Sequence, residues 1–224
     1  MTLEVCCGNL ESVHAAVKGG APRIELCSRL DLDGLTPLWE ELEAARRLYP
    51  SLKIHALIRP REGDFCYCPE EVLQMEADIE KALELGADGI VIGALTEKGD
   101  VDREVMAELS ALVGGRASLT FHRAFDVCRN PFEALSVIEA LGFHRILTSG
   151  QAPSALEGAD LLRELQQRTS MIILPGGGVN ASNARRILEL SGCRELHASA
   201  SSILPDGRKV TDTKKVAAIL AATE

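Results

Sequence analysis

Ser118-Leu119-Thr120-Phe121-His122-Arg123-Ala124-Phe125-Asp126 reads as one short strand that runs straight into a cluster of charge. In an extended chain alternate side chains share a face, so Ser118, Thr120 and His122 point one way while Leu119 and Phe121 point the other. The apolar face suits a covering layer of helices, which turns the polar face toward the middle of the molecule. Polar groups placed there are costly unless they meet partners, so other ionisable side chains are expected around His122.

Working outward, the same pattern recurs along the chain. Short β-type runs lie at 3–6, 23–27, 53–59, 89–93, 117–122, 145–148, 171–174 and 195–199, each followed by a helical stretch. Clear helices are expected over 70–85, ending at Gly86; over 131–141, opened by Asn130-Pro131 and closed by Gly142; and over 180–190. Eight alternating units in 224 residues predict a single-domain (β/α)8 TIM barrel over residues 1–224, with few insertions. A doubly wound open sheet is the competing architecture, but its glycine-rich fingerprint is missing. No linker or low-complexity tract interrupts the chain, and the longest loop, 60–69, carries Cys66 and Cys68.

Composition narrows the partners. A formal charge of −9 disfavours nucleic acid and anionic membrane surfaces, so an anionic ligand needs a local basic site. No apolar run approaches the length of a membrane span, and the first residues carry no targeting pattern, so a soluble cytoplasmic protein is expected. Seven cysteines without a secretion signal read as thiols rather than as a disulfide framework.

In a barrel of this kind chemistry sits at the C-terminal ends of the strands. Period-two alternation lets Glu4, Cys6, Glu25, Cys27, His55, Arg59, Thr120, His122, His197 and Ser199 face the axis. Any one of them alone is explained by a structural ion pair, but barrel interiors are usually filled by branched apolar side chains, so the collection points to a ligand pocket at the mouth. Glu25, His55, His122 and His197 are candidate acid/base groups, because burial and neighbouring charge can bring their pKa values toward neutrality. The same donors suit a divalent metal equally well. Arg59, Arg61, Thr120, Arg123 and Asp126 are candidate substrate-binding residues, together with Thr148, Ser149, Gly176 and Gly177. The last four lie after strands six and seven, where free backbone amides near a helix start at Asn180 would cradle a phosphate. Glycines there equally serve tight turns.

Strands one and two both end Glu-x-Cys, which places Cys6 and Cys27 in the same phase on neighbouring strands. Two thiolates make a soft site of low coordination, suited to Cu(I). Cys66-Tyr67-Cys68 offers a second, mobile pair. Cys128 and Cys193 read as packing residues, and Cys7 should face the helix layer.

These motifs together resemble the CutC copper homeostasis family, which is unrelated to the glycyl-radical choline lyase of the same name. The resemblance is carried by Glu4-Val5-Cys6, Arg23-Ile24-Glu25-Leu26-Cys27, Gly34-Leu35-Thr36-Pro37, Ile58-Arg59-Pro60-Arg61 with Gly63-Asp64-Phe65, Thr120 to Asp126, Arg145 to Gly150, Gly176-Gly177-Gly178-Val179 and Glu195-Leu196-His197. It implies a cytoplasmic TIM barrel that forms a homo-oligomer, a dimer or tetramer, and a link to copper tolerance. Cys6 and Cys27 align with the family cysteines proposed to bind Cu(I). An enzyme acting on a small anionic or phosphorylated metabolite remains the alternative. The chain departs from the family at Asp33, where a second glycine is common, and at Leu38, where serine is. It also has a short tail, 201–212, before its last helix.

Overall fold

Eight parallel strands form a nearly closed ring in the computed structural model, which describes residues 1–205 and 207–223. They are β1 (Thr2–Cys7), β2 (Arg23–Leu26), β3 (Lys53–Leu57), β4 (Gly89–Ile92), β5 (Ser118–Phe121), β6 (Arg145–Thr148), β7 (Ile172–Pro175) and β8 (Glu195–Ala198). The order 7-6-5-4-3-2-1-8 brings the two end strands, β7 and β8, against each other. Around the ring run α1 (Leu10–Lys18), α2 (Trp39–Leu48), α3 (Pro69–Glu84), α4 (Arg103–Val113), α5 (Pro131–Ala140), α6 (Ala159–Arg168), α7 (Ala184–Ser191) and α8 (Thr213–Ala222). The predicted (β/α)8 architecture is therefore observed.

Local chemistry sets the boundaries. Asn130 accepts from the amides of Phe132 and Glu133 while Pro131 opens α5, and Asp102 and Asp212 cap α4 and α8 in the same way. Gly86 follows α3 with φ +84°, a conformation that a residue with a Cβ rarely adopts. Two expectations need correction. The helix expected over 180–190 starts only at Ala184, because Asn180 accepts from the amide and hydroxyl of Ser182 and so holds the chain in a local turn. The segment expected to be a plain tail over 201–212 contains a hairpin, β9 (Ser201–Ile203) and β10 (Lys209–Thr211), packed against α1.

Alternation along the strands sorts the side chains as the sequence predicts. Leu3, Val5 and Cys7 of β1 join Ile24, Ile54, Ile90 and Phe121 in the main core. Each such side chain contributes about 1.5–3 kcal/mol by leaving water. Glu4 and Cys6 face inward. In the interior Cys6, Cys27, Leu57 and Val91 form a small separate apolar cluster, with Leu30 packed on it.

Candidate functional site

Register builds the interior in layers. Glu4 on β1 pairs in register with Arg23 on β2 and with His197 on β8; one layer on, Cys6 pairs with Glu25, and Glu25 with His55 on β3. Glu4, fully buried, is the hub. Its carboxylate accepts from Arg23 Nε at 2.6 Å, bonds His197 Nδ1 at 2.9 Å and stands 3.1 Å from His55 Nδ1. Arg23 also donates to Glu195, which in turn accepts from Arg145 Nε at 3.0 Å, and Arg145 Nη1 reaches Ser118 Oγ at 2.6 Å. These contacts join six ionisable side chains from five strands.

Their titration follows from their neighbours. Burial alone would raise the Glu4 carboxyl, but the imidazoles of His197 and His55 and the charge of Arg23 hold it well below the usual range. Burial likewise opposes charge on His197, yet the fields of Glu25 and Glu4 raise it well above an ordinary imidazole. Glu25 is raised by burial. Cys6 is pushed well up, first by its contact with Cys27 and then by burial.

Above this layer Cys6 Sγ and Cys27 Sγ lie 3.6 Å apart. Ligand atoms of Cys6, Glu25 and His197 all fall within 4.8 Å of one another. With His197 Nδ1 bonded to Glu4, its Nε2 is the nitrogen turned toward Glu25, 3.8 Å away. A carboxylate holding one ring nitrogen so that the other can bind is the arrangement that orients metal-ligating histidines. Glu25 and His197, two of the four candidate acid/base groups, are thus brought together with Cys6, itself in contact with Cys27, while a third, His55, joins them through Glu4.

His122 is not among them. It lies between Phe65 and Phe121, its Nδ1 accepts from the Ala124 amide, and no hydrogen bond joins it to the other three among the described residues. Burial and the charge of Arg59 lower it to about 3, so it stays neutral at physiological pH instead of carrying protons there. Arg59 and Arg61, expected to hold an anion, brace their own loops, although Arg59 Nε remains a buried donor with no partner among the described residues. Arg59 donates to the carbonyls of Leu32, Gly34 and Gly63 and stacks 5.0 Å over Phe65; Arg61 binds Glu71, Asp64 and the carbonyl of Cys66. That bracing corrects the expectation of a mobile Cys66/Cys68 pair, since Glu71 also accepts from the Cys68 amide at the start of α3. Thr120 is fully buried and its hydroxyl has no partner among the described residues.

A second group gathers at the mouth. Asp126 accepts from the Thr148 hydroxyl and from the amides of Ser149 and Gln151, and it holds Arg123 Nε at 2.7 Å. Arg123 Nη2 lies 3.4 Å from Ser149 Oγ and the guanidinium flanks Gly177. Gly176 packs against Leu147 and His197. The helix N-terminus expected beside these glycines is displaced with α7, and Asn180 and Asn183 both donate to the carbonyl of Gly178. Arg23, Arg145 and Glu195 were missed by reading strand ends. They stand at strand starts, two residues from Glu25, Leu147 and His197, so alternation alone puts them on the inner face.

The CutC family model matches residues 1–202. The chain belongs to the CutC family. It is 47% identical over 208 residues to a CutC family protein of Bacteroides thetaiotaomicron, covering 92% of this chain and 83% of that one. It is 44% identical over 209 residues to the human copper homeostasis protein cutC homolog, covering 92% and 76%. A crystal structure of a CutC protein from Streptococcus agalactiae superposes with a TM-score of 0.84 at 31% identity, over 89% of this chain and 98% of that one. Phosphoribosyl anthranilate isomerase from Thermotoga maritima, at 15% identity and a TM-score of 0.65 over 100% and 98%, shares the fold alone. Among the described residues no helix is long and apolar enough to cross a membrane.

Proposed function

We propose that this CutC-family chain serves copper homeostasis by binding Cu(I) as cargo through Cys6 and Cys27, with His197 as a third donor. The observation that carries this reading is two sulfurs 3.6 Å apart beside an imidazole already oriented by a buried carboxylate. Thiolates and imidazole are the soft and intermediate donors that favour Cu(I) over hard cations. Leu30, Leu57 and Val91 around the pair keep water from competing. The seven free thiols support a reducing, cytoplasmic setting. Binding must release protons, because Cys6 is pushed up toward the thiol form and His197 toward the imidazolium. Affinity for Cu(I) therefore falls as pH falls.

The test is titration of reduced protein with Cu(I) against a competing chelator. Cys6→Ser/Cys27→Ser should weaken binding at least ~100-fold, about 2.7 kcal/mol. An unchanged affinity sinks the proposal.

One observation favours a second reading, an acid/base enzyme acting on a small anionic or phosphorylated metabolite at the mouth. Arg123 is half-exposed beside Ser149 and Gly177, where it can meet an anion. A metabolite whose stabilisation of the protein disappears in Arg123→Gln would support this reading; failure of every anionic metabolite to stabilise the wild type would reject it.

A further inference from the structure

The pole of the barrel opposite the mouth holds a cavity of about 550 Å³, within the size range of small-ligand pockets. It is lined by the starts of β2, β3, β5 and β6, and its lining includes Arg23, Lys53, His55, Arg116, His144 and Arg145. Asp88 is the one carboxylate in that lining. The donors are only partly used. Arg23 spends Nε and Nη2 on Glu4 and Glu195, and Arg145 spends Nε and Nη1 on Glu195 and Ser118. Arg23 Nη1 and Arg145 Nη2 make no hydrogen bond among the described residues and are not among the fully buried unpaired atoms, so they are open to the cavity that their side chains line. His144 Nδ1 accepts from the Leu119 amide at 3.1 Å, so its remaining donor is Nε2–H even in the neutral ring. Lys53 and Arg116 stand at the rim with their side chains 65% and 50% exposed, each paired across the surface, with Asp88 and Glu80. Gly89 keeps the inner wall open: a Cβ there would come within 2.4 Å of the His55 ring.

The geometry points to a binding site for a phosphate-type oxyanion, free or as a monoester, at this base. Two guanidinium edges, an imidazole N–H and two rim cations converge from four strands, more donors than a planar carboxylate accepts and well matched to a tetrahedral dianion. No lining residue is a proposed copper donor, and the two sites are joined only through Glu4, which bonds both Arg23 and His197.

Isothermal titration with inorganic phosphate and, in a second arm, a simple alkyl phosphomonoester, both at constant ionic strength, tests the site. Saturable binding of either is expected. If the monoester binds more tightly, the site takes an esterified ligand; if phosphate does, a free ion. Lys53→Gln/Arg116→Gln removes only exposed rim charges, so the chain should fold and melt as the wild type while affinity drops at least tenfold. Arg123→Gln, at the far pole, should bind as the wild type, and Cys6→Ser/Cys27→Ser likewise. No saturable heat in either arm, undiminished affinity in the rim variant, or loss of binding in Arg123→Gln would overturn the inference.

Discussion

The two poles of this barrel are built on opposite physical terms. At the base, charges interlock: Glu4 and Glu195 each hold two or more basic side chains. Toward the mouth the interior turns soft and apolar, with two thiols, two aliphatic walls and Leu30. The base-side loops take their left-handed turns at glycines, as at Gly20, Gly86, Gly142 and Gly192, whereas on the mouth side other residues do so too. Among the described residues, the four non-glycine ones with positive φ, Arg29, Asp33, Gln151 and Ala200, lie in loops that follow strands, which is the mouth side. Such conformations persist only where the surroundings enforce them, and they gather at functional surfaces. The difference teaches that stability and ligand capture are divided between the poles, the base fixing the hub from which His197 is aimed at the thiols.

The comparison breaks most severely at Glu195. Its carboxylate is shared by Arg23 and Arg145, so Glu195→Gln leaves two buried guanidiniums facing a neutral amide. Removing one partner of a buried ion pair costs about 3–5 kcal/mol, far more than the pair adds relative to an apolar replacement. Urea unfolding should show that loss. If the variant is as stable as the wild type, the base is not the structural pole. A smaller break is Gly89→Ala. The new methyl must displace the His55 ring from 2.4 Å, an overpacking cost of about 1–3 kcal/mol. Cu(I) affinity should change less than in any variant of the thiols, since His55 reaches them only through Glu4.

Acid and base titration of stability sharpens the contrast without mutation. Glu4 and Glu195 have folded pKa values below the ordinary 4.5, so the stability they supply is complete above that value and is lost as pH falls toward the depressed ones. Glu25, raised by burial, costs stability once ionised and so adds to the decline as pH climbs above 4.5, leaving the acid limb to Glu4 and Glu195. His197 has the opposite sign. Its folded pKa lies above 6.5, so its contribution is complete below that value and fades as pH climbs through the raised one. Chemical denaturation across pH should therefore find the base most stabilising between about 4.5 and 6.5. In His197→Gln the alkaline decline should shrink; an unaltered decline would remove His197 as its source.

How much of this was legible beforehand depends on which signal each residue leaves. Strand phase is local, so the inward set Glu4, Glu25, His55 and His197 could be read from alternation, and so could the opposite orientations of Cys6 and Cys7. What a residue meets across the barrel is not local. Nothing in the spacing of Arg59 shows that three loop carbonyls claim its guanidinium, or that two aromatic rings enclose His122. The basic cavity leaves a weaker signal, because Arg23, Arg145 and Glu195 stand at strand starts, away from the pole where barrel sites gather, although strand phase turns them inward. Helix starts were misjudged where a side chain competed for the backbone, as at Asn180.

The mildest probe lies in the loop that carries Leu30. Asp33 adopts φ +61° immediately before Gly34, which is itself left-handed at φ +89°. An L-residue pays roughly 1–2 kcal/mol in the left-handed region, less for aspartate, whose short polar side chain bonds locally. Glycine removes that strain but adds freedom to the unfolded chain, so the two effects nearly offset. Asp33→Gly should raise stability by only about 0.5 kcal/mol, while Asp33→Val should lower it by more than ~1 kcal/mol. If both changes are neutral, the left-handed turn is not fixed by its surroundings. Leu30 would then sit on a loose loop, and the dry, enforced mouth that sets this pole apart from the base would lose its main support.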